Sequence, residues 1–455
     1  MAKQEKKISF WIIVLVLITF AKGLLWVFIV PIFQAPDEPQ HYSYVQYLAE
    51  KKSLPTTKIL YFQPSQRLEK QMELLETEQI AHNAHIQHSY YRQAGDIAPN
   101  QLLQQAEALN PTPSEYNYIH NYGPLYYLLN LPFYWLFNPN LALQIYSMRI
   151  FSVLLSCITV ALAFLTCKKI PVLKGKSALA VALFISFLPQ FSHISASINN
   201  DNLIVLLFTL FFYMATKWFA EPLNLKRILL IFLVASLALI TKTQGVILLV
   251  ISLLYILSKT RVVYLLKTHR KSLFATAFVT LAGTLILLPQ IFQQYFSQHS
   301  VLWFLKTITV TRILRSYKSF VGRFGWLDTL LPQWAYIGFA VLIMLALIGL
   351  VVWFYKKHQQ KETSIKIAIA ACTAAIITDI TYAILFARNA ITMEYYNFPT
   401  QGRYYFIVIL PLVALMFMGF KQLSKTNYLA LLAVGFVIAL NLVSILAIIP
   451  IRYYV

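Results

Sequence analysis

The chain has 455 residues, of which 58% are hydrophobic and 12% are charged. This composition excludes an ordinary soluble protein, and many of the apolar runs are long enough to cross a lipid bilayer. The formal net charge is +21, but the Lys and Arg residues are spread between the apolar runs and form no single basic domain, so nucleic acid is not predicted as a partner. The three cysteines lie within or at the ends of apolar runs, which predicts neither a disulfide framework nor a zinc site.

The first apolar run follows MAKQEKK, a charged head typical of signal peptides. The run is too long for a signal peptide, and Pro36 lies where small residues would mark cleavage, so residues 1–31 are predicted to be an uncleaved transmembrane helix. Ten further apolar runs predict an all-α polytopic membrane protein with about eleven transmembrane helices in total. The later predicted spans are 142–167, 177–195, 201–219, 227–241, 244–258, 272–292, 335–355, 364–388, 404–421 and 427–449.

The loops between these runs predict the orientation of the chain, because short cytoplasmic loops collect Lys and Arg. The basic loops KKIPVLKGK (168–176), KTRVVYLLKTHRK (259–271), KKHQQK (356–361) and KQLSK (421–425) all fall on the side of the N-terminus. The turn SINND (197–201), on the other side, has no basic residue. We therefore predict a cell-membrane protein with a cytoplasmic N-terminus.

Two long segments, residues 32–141 and 293–334, interrupt the apolar runs and are predicted to be extracytoplasmic. The first precedes predicted spans 2–7 (142–292) and holds ten of the 17 acidic residues, and its stretch 122–137 predicts a helix lying along the membrane surface. The second precedes predicted spans 8–11 (335–455) and mixes basic with aromatic residues, which predicts an amphipathic helix touching anionic lipid.

Asp37 and Glu38 lie side by side where the chain leaves the first span. One interpretation is structural: the carboxylates cap the next helix, and Pro39 occupies its first turn. Capping needs only one acidic residue, however, and does not explain an acidic pair at the membrane surface. We therefore predict that Asp37 and Glu38 are catalytic, because a carboxylate there is placed to deprotonate an acceptor hydroxyl.

Four further polar residues on the predicted outer side are candidates for substrate binding: His41, His120, Asp201 and Lys242. Each has a structural alternative. The histidines could simply be hydrogen-bonded within the fold, Asp201 could cap a helix, and Lys242 could extend to the lipid headgroups. Lys242 between two short apolar runs could instead neutralise a phosphate. Asp379, inside a predicted span, is a separate candidate of unknown role.

The last outer turn contains QGRYY, in which Gln401, Arg403 and Tyr404 are predicted to bind substrate. Gly402 permits close approach, Gln401 adds an amide, and the planar Arg403 guanidinium suits phosphate oxygens. Anchoring of Arg403 to lipid headgroups is the alternative. His82, His85 and His88 are spaced like metal ligands but have no neighbouring carboxylate fixed by sequence, so no metal site is predicted.

The order of these motifs carries a resemblance that spans nearly the whole chain. The motifs are PDEPQHY, HNYGPLYYLL, SINNDNL, TKTQGVILL and QGRYYFIVILPLVAL. Together they resemble bacterial membrane proteins of GT-C-type glycosyltransferase architecture. More narrowly they are similar to a family with PxDEPxH and QGRY motifs, related to the protein mannosyltransferases and the lipid A aminoarabinose transferase.

The resemblance implies an inverting glycosyltransferase that moves a sugar from a polyprenyl-phosphate carrier to an extracytoplasmic cell-envelope acceptor, with Asp37 acting near the acceptor. This chain departs from many such proteins in having Asn-Tyr-Gly-Pro-Leu after His120, which puts the role of His120 in doubt. It contains no DxD pair, so neither a divalent metal nor another cofactor is implied.

Two other classes remain open from sequence. A transporter or flippase of lipid-linked saccharides would bury polar groups along a path through the spans. A cell-wall polymer polymerase or ligase would share the lipid-phosphate substrate but would not need an acidic pair after the first span. Convergence of Asp37, Lys242 and Arg403 on one outer site would favour the transferase. The sequence names neither the sugar and acceptor nor the oligomeric state.

Overall fold

The computed structural model of this protein describes residues 2–55, 62–81, 83, 103–113, 122–259, 313–356, 362–392, 401–424 and 426–454. The described residues are mostly helical, as the apolar runs predicted. The helices are α1 (Ala2–Ile29), α2 (Glu38–Lys51), α3 (Gln66–Leu74), α4 (Thr77–Ile80), α5 (Leu125–Phe137), α6 (Leu141–Lys169), α7 (Lys176–Phe187), α8 (Pro189–Ser195), α9 (Asp201–Lys217), α10 (Leu225–Thr241), α11 (Gly245–Lys259), α12 (Gln333–Tyr355), α13 (Glu362–Thr392), α14 (Ile409–Leu423), α15 (Tyr428–Val443) and α16 (Ile449–Tyr453).

Three shorter features complete the description. Residues 313–321 are helical, and Gly402–Val408 forms a 3₁₀ helix that leads directly into α14. The strands β1 (Arg323–Phe324) and β2 (Thr329–Leu330) form a small antiparallel hairpin that the sequence analysis did not predict. This hairpin replaces part of the amphipathic helix predicted in 293–334, whose residues 293–312 lie outside the described residues.

Five helical segments in the described residues are long and apolar enough to cross a membrane. They are Ser9–Ile29, Leu141–Lys169, Gln333–Tyr355, Gly402–Leu423 and Tyr428–Tyr453. A multi-pass helical membrane protein is thus supported, whereas the number eleven stays a prediction. The predicted spans 201–219, 227–241 and 244–258 coincide with helices of 15 to 17 residues, and 272–292 lies outside the described residues.

The predicted span 177–195 is a broken helix rather than a straight one. The helices α7 and α8 meet at Leu188 with a bend of 63°. Pro189 causes the break, because it cannot donate to the preceding turn and its ring disfavours a helical conformation at Leu188. At the break, the Ser186 carbonyl accepts hydrogen bonds from Lys22 Nζ of α1 at 2.5 Å and from Ser192 Oγ at 3.1 Å.

The helices pack closely enough that glycine is required at one crossing. A Cβ on Gly349 of α12 would lie 2.1 Å from the Gly419 carbonyl oxygen of α14, and one on Gly419 would lie 2.2 Å from the Ala346 carbonyl oxygen. Small residues at a crossing let two helix backbones approach, which is how helices associate within a bilayer. This crossing fixes α14, and with it the 3₁₀ helix that carries Arg403.

The segment after α1 folds back against the spans through its own helices. The helix α2 packs on α5, the stretch predicted to lie along the membrane surface, and Pro132 is inside α5. Arg67 in α3 donates to the Leu109 carbonyl at 3.1 Å and to Asn138 Oδ1 at 3.1 Å. These contacts tie α3 to the described residues 103–113 and to the turn after α5.

The predicted topology has a direct test in cysteine labelling of two exposed positions, Glu69 in α3 and Lys174 before α7. In intact cells, a membrane-impermeant maleimide is expected to label Glu69→Cys and to spare Lys174→Cys until the membrane is opened. The native cysteines are replaced by serine first. Labelling of both positions from the same side would contradict the predicted topology.

Candidate functional site

Four charged side chains from four distant parts of the chain meet at one place, hereafter the charged cluster: Asp37, Asp201, Lys242 and Arg403. Arg403 Nη2 donates to Asp37 Oδ2 at 2.7 Å, and Lys242 Nζ donates to Asp201 Oδ1 at 2.5 Å. Arg403 Nε lies 3.6 Å from Asp201 Oδ2, which joins the two pairs. With two carboxylates and two cations, the cluster is electrically balanced.

Asp37 reaches the cluster because of its backbone conformation. It occupies the N-cap position of α2 with φ of 62°, in the left-handed region that Asp tolerates better than most residues. Its side chain makes no capping hydrogen bond. The capping interpretation is therefore wrong for the Asp37 carboxylate, which contacts Arg403 and remains 26% exposed.

Glu38 faces away from the charged cluster, although it is the next residue. Its carboxylate is fully buried and accepts two hydrogen bonds from Arg149 of α6, at 2.8 and 2.6 Å. It also accepts from the backbone N–H groups of Phe33 and Ile198. Both oxygens are thus engaged in holding the segment before α2 and the SINND turn together. Because both oxygens already accept hydrogen bonds, the arrangement favours a structural role for Glu38 over the predicted catalytic one.

Arg149 extends this scaffold to the end of α1. Its guanidinium donates to the carbonyls of Val27, Val30 and Pro31, at 2.6 to 2.9 Å. The last carbonyls of a helix have no partner within the helix, so a buried guanidinium there satisfies several at once. Glu38 and Arg149 together fix the turn that sets the conformation of Asp37.

Replacing Glu38 by Gln is expected to destabilise the protein strongly, because it leaves the buried Arg149 charge without its carboxylate. Removing one partner of a buried pair costs about 3–5 kcal/mol. The measurement is thermal unfolding of the purified variant in detergent. Glu73→Gln is the control, because Glu73 pairs with Lys70 at the surface and such pairs contribute about 1 kcal/mol or less. Equal melting of Glu38→Gln and wild type would contradict the scaffold role.

Asp201 begins α9 but does not cap it with its side chain. The N-cap residue is Asn200, and Asn199 Oδ1 accepts the Asp201 backbone N–H at 2.9 Å. The Asp201 carboxylate is left to bind Lys242. In the SINND turn, Asn199 therefore accepts the backbone N–H at the start of α9, and Asp201 contributes its carboxylate to the charged cluster.

Lys242 and Arg403 are both buried, with about 4% of each residue exposed. The alternatives in which Lys242 extends to lipid headgroups and Arg403 anchors there are therefore wrong. Lys242 Nζ lies 4.9 Å from the centre of the Tyr122 ring and 5.6 Å from that of Tyr404. Aromatic faces attract cations, so these rings hold the ammonium group beside Asp201.

Gly402 explains how Arg403 is placed. A Cβ at residue 402 would lie 2.1 Å from the Phe320 backbone nitrogen, and the Gly402 N–H donates to Ser319 Oγ at 2.6 Å. Close approach is therefore required here, but the partner is the helix at residues 313–321. The 3₁₀ helix that follows directs Arg403 toward Asp37.

Several polar atoms of the cluster have no hydrogen-bond partner within the described part of the chain. They are Arg403 Nη1, Arg403 Nε, Asp201 Oδ2 and, two residues before Arg403, Gln401 Oε1. Unsatisfied buried polar atoms are costly and rare, so a group of them at one site calls for an explanation. The Nη1 group, with two N–H donors, is suited to an anionic oxygen.

His41 lies one turn after Asp37 and contributes a neutral ring. Its Nδ1 lies 2.9 Å from the Tyr127 hydroxyl. The pKa of His41 is lowered to about 3, mainly by burial; Lys242 and Arg403 contribute to the lowering, and Asp37 and Asp201 oppose it. The ring is therefore uncharged near pH 7 and does not offer a phosphate a cation. His120 lies outside the described residues.

Asp379 and the possibility of a metal site are the remaining points of the sequence analysis. Asp379 accepts a hydrogen bond from the Tyr405 hydroxyl at 2.8 Å, which ties α13 to the 3₁₀ helix next to Arg403. The neighbouring Thr378 hydroxyl donates to the Ala374 carbonyl and not to Asp379. Across the described ranges, no three His, Cys, Asp or Glu side chains come together in a way that would hold a metal ion.

The sequence analysis missed Arg149, which is the main partner of Glu38. It lies 111 positions from Glu38 in the chain. The signal available from the sequence was a charged residue inside the predicted span 142–167. Lys22, inside the first span, carried the same signal. Tyr127 was missed because a tyrosine among many aromatic residues gives no local indication of its partner.

The fold and the charged cluster define a helical, multi-pass membrane protein with buried, paired charges of opposite sign at one site. A family model described as "Predicted membrane protein (DUF2142)" matches residues 20–413, and the chain belongs to that family. The match includes all four residues of the charged cluster. Comparison with curated proteins and with solved structures gave no significant match.

Proposed function

We propose that this protein is a glycosyltransferase that moves a sugar from a polyprenyl-phosphate donor to a cell-envelope acceptor, which is a polysaccharide, a lipid or a protein. The supporting observation is the position of Arg403. Its Nη2 binds the Asp37 carboxylate, while its Nη1 has no hydrogen-bond partner in the described ranges. The same guanidinium thus holds a carboxylate that is suited to act as a general base and presents N–H donors that are suited to a phosphate oxygen.

In the proposed reaction, the donor phosphate binds Arg403 Nη1 beside Lys242. Asp37 takes the proton of the acceptor hydroxyl, and that oxygen bonds to the anomeric carbon from the face opposite the phosphate. The bond between the anomeric carbon and the phosphate oxygen breaks, the configuration inverts, and polyprenyl phosphate leaves. The two cations stabilise the charge that builds on the phosphate oxygens.

Asp201 has a supporting role in this proposal. It holds the Lys242 ammonium at 2.5 Å and lies 3.6 Å from Arg403 Nε, so both cations are fixed before the donor arrives. Cations that are already in place need no reorganisation when the leaving group becomes charged. The proposal assigns no step to a metal ion.

The test is sugar transfer in membranes that contain the protein and the native envelope acceptors. Radiolabelled polyprenyl-phosphate sugars are added, and label is followed from the lipid fraction into polysaccharide, protein and other lipids. Transfer is expected in membranes with the wild-type protein and not in membranes with Asp37→Asn at the same abundance. Equal transfer in both would overturn the proposal.

A transporter of lipid-linked saccharides is the second candidate, because of the broken helix α7–α8. Lys22 Nζ binds the Ser186 carbonyl at the break and Ser192 Oγ at 2.8 Å, and Asn441 Nδ2 donates to the Phe187 carbonyl. Broken helices with polar partners are typical of transport sites. A transferase works in detergent solution, whereas transport needs a closed bilayer. Translocation in sealed vesicles without any transfer in detergent would favour the transporter.

A further inference from the structure

A cavity of about 540 Å³ lies between α6, α9, α11, α13 and α14, and one end of it lies where α9 ends, away from the charged cluster. The helix α9 shows the separation: Asp201 at its start belongs to the cluster, and Thr216 near its end lines the cavity. At 1.5 Å per residue, those positions are about 22 Å apart. This end of the cavity is therefore distinct from the charged cluster.

The cavity walls are mostly apolar, with Phe211, Ile251, Ile377 and Leu415 among the lining residues. Two lysines, Lys259 at the end of α11 and Lys366 near the start of α13, also line it. Burial, and after it the positive charge of Lys366, lower the pKa of the Lys259 ammonium. No acidic residue is among the lining residues that the structure describes. The cavity thus combines an apolar interior with two like charges.

The lysines are held where the helices end. The Lys259 ammonium donates to the Phe219 carbonyl, just after α9. Lys366 lies in the first turns of α13 and is exposed. Because α9 and α11 end here and α13 begins here, both charges lie at the rim and the apolar walls extend from them toward the middle of the bundle.

We infer that this cavity binds an anionic phospholipid, with the lipid phosphate between Lys259 and Lys366 and an acyl chain along the apolar walls. Two neighbouring cations attract an anionic headgroup, and the volume lies in the range of about 300–1,000 Å³ that is usual for ligand cavities. A free phosphate would leave the apolar walls empty. A zwitterionic lipid would bring its own cation toward the two lysines. The inference does not depend on the proposed function.

The experiment is native mass spectrometry of the purified protein with defined lipids, phosphatidylglycerol and phosphatidylcholine, at matched chain length. Wild type is expected to retain phosphatidylglycerol selectively. The double variant Lys259→Gln, Lys366→Gln is expected to bind it about thirtyfold more weakly, given the usual contribution of two lysines near a membrane surface. The matched control is Lys174→Gln, Lys176→Gln, two exposed lysines before and at the start of α7 that do not line the cavity.

A second variant tests the apolar part without changing the charge. Ala370→Phe places a ring on an exposed wall position of the cavity, so it is expected to weaken phosphatidylglycerol binding while thermal unfolding stays close to wild type. Glycerol phosphate, which has the headgroup without the chains, is expected not to compete. Unchanged phosphatidylglycerol binding in the double variant, an equal loss in the control, or effective competition by glycerol phosphate would each overturn the inference.

Discussion

The Asp37→Asn variant is expected to fold normally and to lose sugar transfer almost completely. Asparagine has nearly the same shape as aspartate but cannot accept the acceptor's proton, and a positioned general base typically contributes about 10²–10⁴-fold to the rate. Folding should be preserved because Asp37 is partly exposed, caps no helix with its side chain, and leaves Arg403 beside Asp201. The measurement is the rate of transfer from a defined polyprenyl-phosphate sugar, with protein amount and melting temperature matched to wild type.

Two other carboxylate changes make this result specific. Glu69→Gln removes an exposed carboxylate from α3 in the same predicted extracytoplasmic segment, and it should leave transfer unchanged. Glu38→Gln should reduce the amount of folded protein, and the molecules that fold should keep a measurable rate. If Glu38→Gln abolished transfer in stably folded protein while Asp37→Asn did not, the roles given to the two neighbours would be reversed.

The sequence could predict the participants of the charged cluster because charges are rare in this chain. With 12% charged residues, each acid or base at the end of an apolar run is conspicuous, and Asp37, Asp201, Lys242 and Arg403 were all selected on that basis. Their pairing could not be predicted, because no local rule relates Asp37 to a partner 366 positions away.

The capping alternative considered for two side chains follows from a local rule that the structure overrides. Asp37 and Asp201 each stand where a helix begins, and an acidic residue there ordinarily caps the first turn. In the structure both carboxylates contact cations instead, and Asn199 Oδ1 accepts the backbone N–H of Asp201 at the start of α9. A buried, unpaired Lys or Arg would cost more than an uncapped helix start, so the tertiary ion pairs prevail.

The distinction between Asp37 and Glu38 shows why adjacent residues need a structure to be separated. On a helix, neighbouring positions point in different directions, and here the left-handed conformation of Asp37 increases the divergence. Glu38 is directed to Arg149 in α6, and Asp37 to Arg403 after α13. Of the acidic pair that follows α1, Glu38 thus holds parts of the fold together and Asp37 belongs to the charged cluster.

The span count was harder to predict than the fold class. Hydropathy identifies apolar runs, but α7 and α8 form one broken helix, and α9, α10 and α11 are only 17, 17 and 15 residues long. Such short helices cross a bilayer of about 30 Å only with local thinning or help from flanking residues. Hydropathy alone does not settle which of them span the membrane.

The Arg403→Lys variant is expected to lower turnover about tenfold to a hundredfold, which corresponds to a loss of about 1.4–2.8 kcal/mol in transition-state stabilisation. Arg403 contacts Asp37 through Nη2, faces Asp201 through Nε and leaves Nη1 for the donor phosphate, all from one rigid plane. Lysine keeps the charge but has a single nitrogen, so it cannot hold the base and the phosphate in a fixed relation.

Arg403→Ala should be slower than Arg403→Lys, because both the charge and the planar guanidinium are lost. Only Lys242 then stabilises the negative charge that develops on the phosphate. The comparison uses the purified protein in detergent, a defined lipid donor and a melting control, since either change also disturbs a buried ion pair. The lysine variant separates the two effects: if it melts like wild type and turns over slowly, the guanidinium acts in the reaction and not only in the fold. If Arg403→Ala turned over as fast as wild type, Arg403 would have no part in the chemistry, and the unpartnered Nη1 would need another ligand.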